Sequence, residues 1–489
     1  MLSPFADRPW VVRRSSVLVL APILVLASLL SAPSARSAST APVELKVLEF
    51  NIEYGGVHVS FDKVVEAIRR SRADVVAIEE AQGHTLALQR ALGWPYASPR
   101  LQILSRYPLI DPPGADGVYV FVQLAPGQVV AIENVHLPSN PYGPFEVKQG
   151  ETKRSVLELE RRLRLPAIQP SLQAAESLGA QEIPVFLTGD FNAPSWRDWT
   201  AAMVGERFQI RYAVKWPVSV AVENAGFVDS YRHVYPSPRR HPGLTWWAAR
   251  PHLPFWNPGK YAPQDRIDII YALGAAEATA AEVIGEAGAP GLAYTVTPWP
   301  SDHRATASTF TVTPGAPPVM VAADERLVAI GDDVHVTFHA PGGGGEHVAI
   351  VPAGGHPASE GIADQSTGAT DPTDGTLTFS TDTWTSGAYE AVLIRGGGQE
   401  LSRIPFFDVS WQDARGERWD WIGVYKRGRD PLIAYYLLWT YTGSTIAGST
   451  PIDENVHGPW PLDAGKYSVY LLRDDGYRLE ARADFTVTG

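Results

Sequence analysis

The chain of 489 residues contains no cysteine. That excludes disulfide staples, a cysteine nucleophile and any cysteine-ligated metal. The fold must rest on buried core area, and a chain of this length has enough of it. Charge is also scarce. Charged residues make up 19%, and acids outnumber bases for a net charge of −12. This argues against a purely electrostatic binder of nucleic acid or membrane, which needs a basic surface. A metal-dependent enzyme on phosphate substrates stays open, because a bound cation reverses the local field. Long hydrophobic runs are lacking but for one, Val17 to Leu30. At about 14 residues it is short of the ~20 a spanning helix needs.

That run follows Arg8, Arg13 and Arg14 and precedes mostly small residues up to Thr40. Charged, apolar and small segments in this order form a secretory signal. We therefore expect residues 1–38 to be a targeting peptide, cleaved near Ala35 or Ala38, and the protein to be secreted or extracytoplasmic. At 45% hydrophobic residues, the remainder is globular, with room for about two to four domains.

Several apolar segments of strand character end on polar residues. Leu45 to Ile52 alternates and ends near Asn51 and Glu53. Ser60 is a candidate N-cap for a helix over 60–71, with Val64, Val65 and Ile68 as its apolar stripe. Asp74 to Glu80 is a buried strand ending in two carboxylates, only one of which can enter a given site, since adjacent strand residues face opposite ways. Leu101 to Pro108 is a further strand. Val118–Leu124 and Val129–Val135 pair as a hairpin across Ala125-Pro-Gly127, and the second runs out at Asn134-Val-His136. Residues 151–178 read as one or two helices broken near Pro166 and Pro170, with Lys153, Arg154, Glu158, Glu160, Arg161, Arg162 and Arg164 on a solvated face. Pro184 to Asn192 is a buried strand running into Gly189, then Asp190 and Asn192. The strand-like stretch Asp265 to Tyr271 holds Asp268, and Asp302-His303 precedes the strand Ala307 to Val312.

These residue types make a phosphoester chemistry. Glu80 can bind one hard cation through oxygen, the usual magnesium arrangement. Asp190 can orient or deprotonate a water. His303, with Asp268 fixing its tautomer, can contact phosphate or shuttle a proton. Asn51, His136 and Asn192 can donate to developing oxyanion charge. Arg239, Arg240 and His241, followed by Trp246, Trp247, Phe255 and Trp256, mix cations with ring faces, on which a base could stack or a lipid headgroup rest. Arg240, Trp246 and Trp247 are the candidate substrate-binding residues.

Asn51 after a strand, Ile-Glu-Glu80, Leu-Ser-Arg-Tyr-Pro108, Asn-Val-His136, Gly-Asp-Phe-Asn192, Arg-Ile-Asp268 and Ser-Asp-His303 occur in the order seen in the endonuclease/exonuclease/phosphatase superfamily. The chain resembles that group over roughly residues 44–312. The resemblance implies an α+β four-layer sandwich, two packed β-sheets flanked by helices, and hydrolysis of a phosphate ester with Mg2+ or Mn2+. By position it places Asn51, Glu80 and Asp302 on the metal side and Asp190 with Asn192 as the water-orienting pair. Asp268 with His303 becomes the carboxylate–imidazole pair, although Asp265 competes for that role, and His136 contacts phosphate. Gln82 stands where some nucleases of the group carry a basic residue, and the 136–144 stretch lacks sphingomyelinase and inositol-phosphatase signatures.

Residues 313–318 read as a linker. Beyond it, residues 387–409 recur at 465–487 with a constant offset of 78: Gly387, Tyr389, Leu393 and Arg395 answer to Gly465, Tyr467, Leu471 and Arg473. This predicts two all-β immunoglobulin-like sandwich modules, 319–410 and 411–489, suited to cell-surface or polymer attachment. No obligate protein partner is inferred. The leading expectation is a secreted, metal-dependent phosphodiesterase, most directly a nuclease. A phospholipase C/sphingomyelinase-like or phosphomonoester hydrolase is the second reading, and an inactive enzyme domain used as a binding module the third. The substrate is a phosphodiester, in nucleic acid or a phospholipid headgroup.

Overall fold

The computed structural model describes residues 41–248, 263–324, 333–368, 373–384, 387–407, 410–411, 421–429, 437–441, 448–449, 465–473 and 478–487. The expected targeting segment, the loop holding Phe255, Trp256 and Tyr261, and Trp419 lie outside the described residues. Among the described residues no helix is long and apolar enough to cross a membrane.

Two sheets carry the N-terminal region. The first has seven strands in the spatial order Tyr294–Thr295, Ala276–Gly285, Ala305–Val312, Val43–Asn51, Val75–Glu79, Ile103–Ser105 and Tyr96–Ser98. The second has six: Leu109–Ile110, Tyr119–Ala125, Gln128–His136, Val185–Asp190, Asp268–Leu273 and Val228–Asp229. Alternation decides what lies between them. Leu45, Val47, Val75 and Ala77 of the first sheet share one core cluster with Val130, Ile132, Phe186 and Ile270 of the second. The opposite pleat of the first sheet, Leu48, Phe50, Val76 and Ile78, packs on Val64, Val65 and Ile68 of the helix Phe61–Ser71. The opposite pleat of the second, Val129, Ala131, Val185 and Leu187, meets Ile168, Ala175 and Leu178 of the long helix Lys153–Ala180.

That helix runs unbroken through Pro166 and Pro170, against the expected break. A proline removes one N–H and frees the carbonyl four residues back. Pro166, Pro170 and Arg162 are all exposed, so the freed carbonyls face water, where a helix tolerates them. The same helix corrects a second expectation. Arg161 and Arg162 are solvated, but Glu160 and Arg164 are buried at 0% exposure and hydrogen-bond at 2.6 Å.

Register brings the polar strand ends to one edge. The Gln128–His136 strand runs parallel to Val185–Asp190 with His136 opposite Asp190, and Asp268–Leu273 runs antiparallel with Asp268 opposite the same Asp190. In the other sheet, Val43–Asn51 and Val75–Glu79 are parallel and end together at Asn51 and Glu79. Thr245 and Trp246 clasp the two sheets at this edge. Trp246 pairs as a bridge with both Asp265 and His303, Thr245 accepts the Arg304 N–H, and the Thr245 hydroxyl oxygen accepts the N–H groups of Ile267 and Asp268.

The C-terminal region is all-β among the described residues. A three-stranded sheet (Met320–Ala323, Asp333–Ala340, Thr373–Ser380) and a four-stranded one (Ala363–Ser366, His347–Pro352, Ala388–Arg395, Gln399–Phe407) share a core of Val321, Val336, Phe338, Ile350, Leu393 and Phe406. A further four-stranded sheet contains the hairpin Gly465–Arg473/Arg478–Val487. The sequence repeat has a structural counterpart: both hairpins shift register at the equivalent point, Leu393/Ile394 and Leu471/Leu472. Gly315, in the segment read as a linker, exchanges backbone hydrogen bonds with Val129, and Met320 and Ala322 pack into the core of the second N-terminal sheet.

Candidate active site

Asp190 lies at the centre. Its Oδ1 accepts the backbone N–H of Asn192 at 2.9 Å, an Asx turn that puts Asn192 at φ 47°. The turn and the site are thus one feature, although the two side chains do not continue in extended geometry. The Asn192 side chain donates to Leu137 O at 3.0 Å and ties the turn to the neighbouring strand end. With Oδ1 occupied, Oδ2 faces the site. Asn51 Nδ2 lies 3.2 Å from it, His136 Nε2 3.5 Å and His303 Nε2 3.7 Å.

His303 is nearly fully buried. Its Nδ1 contacts Asp268 Oδ1 at 2.9 Å and Oδ2 at 3.1 Å, so Asp268 rather than Asp265 partners the imidazole. Burial disfavours the imidazolium, but Asp268, Asp190 and Asp302 outweigh it and hold the His303 pKa well above the ordinary histidine value. Burial pushes Asp190 up to about 6, with His303 pulling the other way. The surrounding carboxylates thus favour the imidazolium form of His303, which faces a carboxyl group whose own pKa burial raises.

Asp265 has a different task. It accepts from Trp199 Nε1 at 2.9 Å and from Tyr142 Oη at 3.2 Å, and it holds the Trp246 backbone. Tyr142 ends the loop that leaves His136, as the N-cap residue of the helix Gly143–Gln149. Arg164 grips that loop from beneath, donating to Ser139 O and Pro141 O at 2.9 Å each. Arg266 and Arg232 form a buried network with Asp198 and Asp229 that anchors the start of the Asp268 strand.

On the other side stands Glu80, with φ 56°. Its Oε2 accepts the Tyr54 N–H at 3.2 Å and its Oε1 lies 3.4 Å from Asn51 Nδ2. Asn51 was expected as a metal ligand. Its Oδ1 accepts the Glu53 N–H at 3.1 Å, and its Nδ2 lies near Glu80 and Asp190. Asp302 accepts from Trp246 Nε1 at 3.3 Å, and its N–H donates to Glu53. The all-oxygen donors Glu80 and Asp302 fit a hard divalent cation. Asp190, Asp268 and His303 also bring ligand atoms within 4.8 Å of one another. There, however, the imidazole is already hydrogen-bonded to a carboxylate, which accounts for the close spacing.

Trp246 reaches the site directly, its ring 6.3 Å from that of His303. Trp247 follows it with a buried indole N–H that has no partner among the described residues. Arg240 is exposed and is not among the side chains gathered around Asp190. Of the two strand-end carboxylates Glu79 is buried below the site, together with Glu49, which sequence reasoning missed; burial raises Glu49 well above the ordinary range and Glu79 to about 8. The parity of Leu45, Val47, Glu49 and Asn51 was the available signal: Glu49 shares the inward face with Asn51.

Two stacked sheets, an Asp–His pair facing a second Asp, and a glutamate opposite define a phosphoesterase site. The family model for the Endonuclease/Exonuclease/phosphatase family matches residues 48–303, just over half of the chain, and the protein belongs to that family. It is accordingly a hydrolase of phosphate ester bonds, in a family typically dependent on divalent metal. An uncharacterized protein of Caenorhabditis elegans is 28% identical over 256 residues, covering 47% of this chain and 79% of that one. A solved endonuclease/exonuclease/phosphatase from Beutenbergia cavernae is 16% identical, with 74% of this chain and 99% of that chain covered and a TM-score of 0.34. D. rerio TDP2, solved with a single-strand DNA product, is 15% identical over 55% of this chain and 99% of that chain, again at TM-score 0.34.

Proposed function

We propose that the protein is a secreted, metal-dependent phosphodiesterase acting on nucleic acid. The observation that carries the chemistry is the convergence of Asn51, His136 and His303 on Asp190 Oδ2. A carboxylate oxygen held among donors can orient a water for in-line attack and take its proton. The His303 imidazolium, fixed by Asp268 through Nδ1, presents Nε2–H to the phosphoryl oxygens as charge develops. His136 and Asn51 supply further donors on either side. Glu80 and Asp302 would hold Mg2+ or Mn2+, which when bound polarises the phosphoryl oxygen and steadies the leaving oxygen.

The two facing sheets with helices outside favour the four-layer reading, and the paired C-terminal sheets the immunoglobulin-like one. The order of charged, apolar and small residues in 1–38 favours export. The C-terminal sheets are proposed as attachment modules for a surface or polymer.

The test is a parallel assay of plasmid DNA, RNA, sphingomyelin and an aryl phosphodiester with magnesium or manganese. The reading expects turnover of a nucleic acid and of the aryl diester. Sphingomyelin turnover without nucleic-acid cleavage would replace it with a phospholipase C-like activity.

A further inference from the structure

Outside the reacting centre, rings and cations alternate along one flank. The Trp246 indole, edge-on to Phe145 at 6.2 Å, begins the series beside His303. Phe145 and Lys148 lie three apart on the helix Gly143–Gln149 and so share a face. The Lys148 ammonium sits over the Phe145 ring at 5.8 Å and over the Phe208 ring at 5.6 Å. Phe208 is 53% exposed, an uncommon place for a large ring. Two further cations belong to the same flank. The Arg211 guanidinium lies against Gly150 at the end of the same helix. Arg239 pairs at 2.9 Å with Glu206, two residues from Phe208, while remaining 70% exposed.

From this alternation we infer that Trp246, Phe145, Lys148, Phe208, Arg211 and Arg239 form a track for single-stranded nucleic acid leading away from the scissile phosphate. The inference rests on the nuclease reading above and adds the form of the substrate. Rings recruit bases through their π-faces, and cations neutralise the phosphates between them. In a duplex those base faces are occupied by neighbouring bases, so an exposed ring has nothing to stack on. A lipid surface would call for a contiguous apolar patch, whereas here the exposed ring has the Lys148 ammonium over it.

The test compares kcat/KM on a single-stranded oligonucleotide with kcat/KM on an aryl phosphodiester too small to reach Phe208. Phe208→Ala is expected to lower that ratio about tenfold, through KM, as the loss of one stacked base would. Lys148→Ala is expected to reduce the salt dependence of oligonucleotide binding by about one phosphate contact. A control at the exposed Leu86, Leu86→Ala, leaves the ratio in place. If the wild type cleaves single strands and both track variants match it, the track is overturned and the nuclease reading stands. Aryl diester turnover with no cleavage of any nucleic acid overturns both. A larger loss on sphingomyelin vesicles than on oligonucleotides in Phe208→Ala would assign the rings to lipid and overturn the inference.

Discussion

At the scale of single residues, Asp190 and His303 do different work and their removal should show it. Asp190→Ala deletes the oxygen on which the donors converge, and His303→Ala deletes the donor proposed to face the phosphate. Each is expected to lower kcat by about 10²–10⁴-fold, the usual worth of a positioned acid or base, with far-UV circular dichroism unchanged. Asp268→Asn keeps the shape but loses the charge that holds the imidazolium. It should depress kcat more than KM, because it removes an interaction that strengthens in the transition state. Equal kcat in Asp268→Asn and wild type would remove Asp268 from the mechanism. Most of these residues were legible in the sequence, since each stands at the end of an apolar strand. What the sequence left undecided was Asp265 against Asp268. Two aspartates three apart at a strand start differ only in which one the register places opposite Asp190, and register is set by pairing across the sheet. Tyr142 and Trp199, which hold Asp265, gave no signal because their partners lie 123 and 66 residues away.

At the scale of elements, the long helix Lys153–Ala180 is where a one-dimensional reading failed. Charge density around Glu160 and Arg164 resembled a solvated face. The helix instead turns this pair under the 137–142 loop, where Arg164 donates to the backbone carbonyls of Ser139 and Pro141. Arg164→Met leaves Glu160 buried without its partner and should cost about 3–5 kcal/mol in urea unfolding. It should also raise KM by loosening the loop between His136 and Tyr142. Burial outweighs Arg164 and raises the Glu160 pKa to about 7, above its unfolded value of 4.5. The folded state therefore binds this proton more tightly than the unfolded state. The Glu160 contribution is full below pH 4.5 and is lost as pH rises toward about 7. Glu160→Gln should accordingly show a flatter loss of stability than wild type across that window. Parallel slopes would show that Glu160 does not titrate there.

At the scale of the whole molecule, the N-terminal sheets and the first C-terminal sheets are stitched by backbone pairing and shared core. Gly315 occupies a position where a Cβ would meet Glu182 O at 2.8 Å, so this close approach needs glycine. A chain truncated after Pro314 loses the Gly315–Val129 pairing and the burial of Met320, worth about 2 kcal/mol for the side chain alone. Its melting temperature is expected to fall, and an unchanged value would mean that the segment is a passive tether. The repeat at offset 78 was legible because both hairpins need the same glycines and rings. The stitching was not, because it depends on a backbone approach that leaves no pattern in side chains.

The central claim is that Asp190, served by its donors and by a divalent cation near Glu80, hydrolyses a phosphodiester. The most direct measurement is turnover of an aryl phosphodiester by the purified full chain. It is made with magnesium, after chelation and readdition, and in parallel with Asp190→Ala. The account predicts activity that disappears on chelation, returns with magnesium or manganese, and is reduced at least about 10²-fold in Asp190→Ala. Turnover that survives chelation, or an Asp190→Ala enzyme as active as wild type, would contradict it.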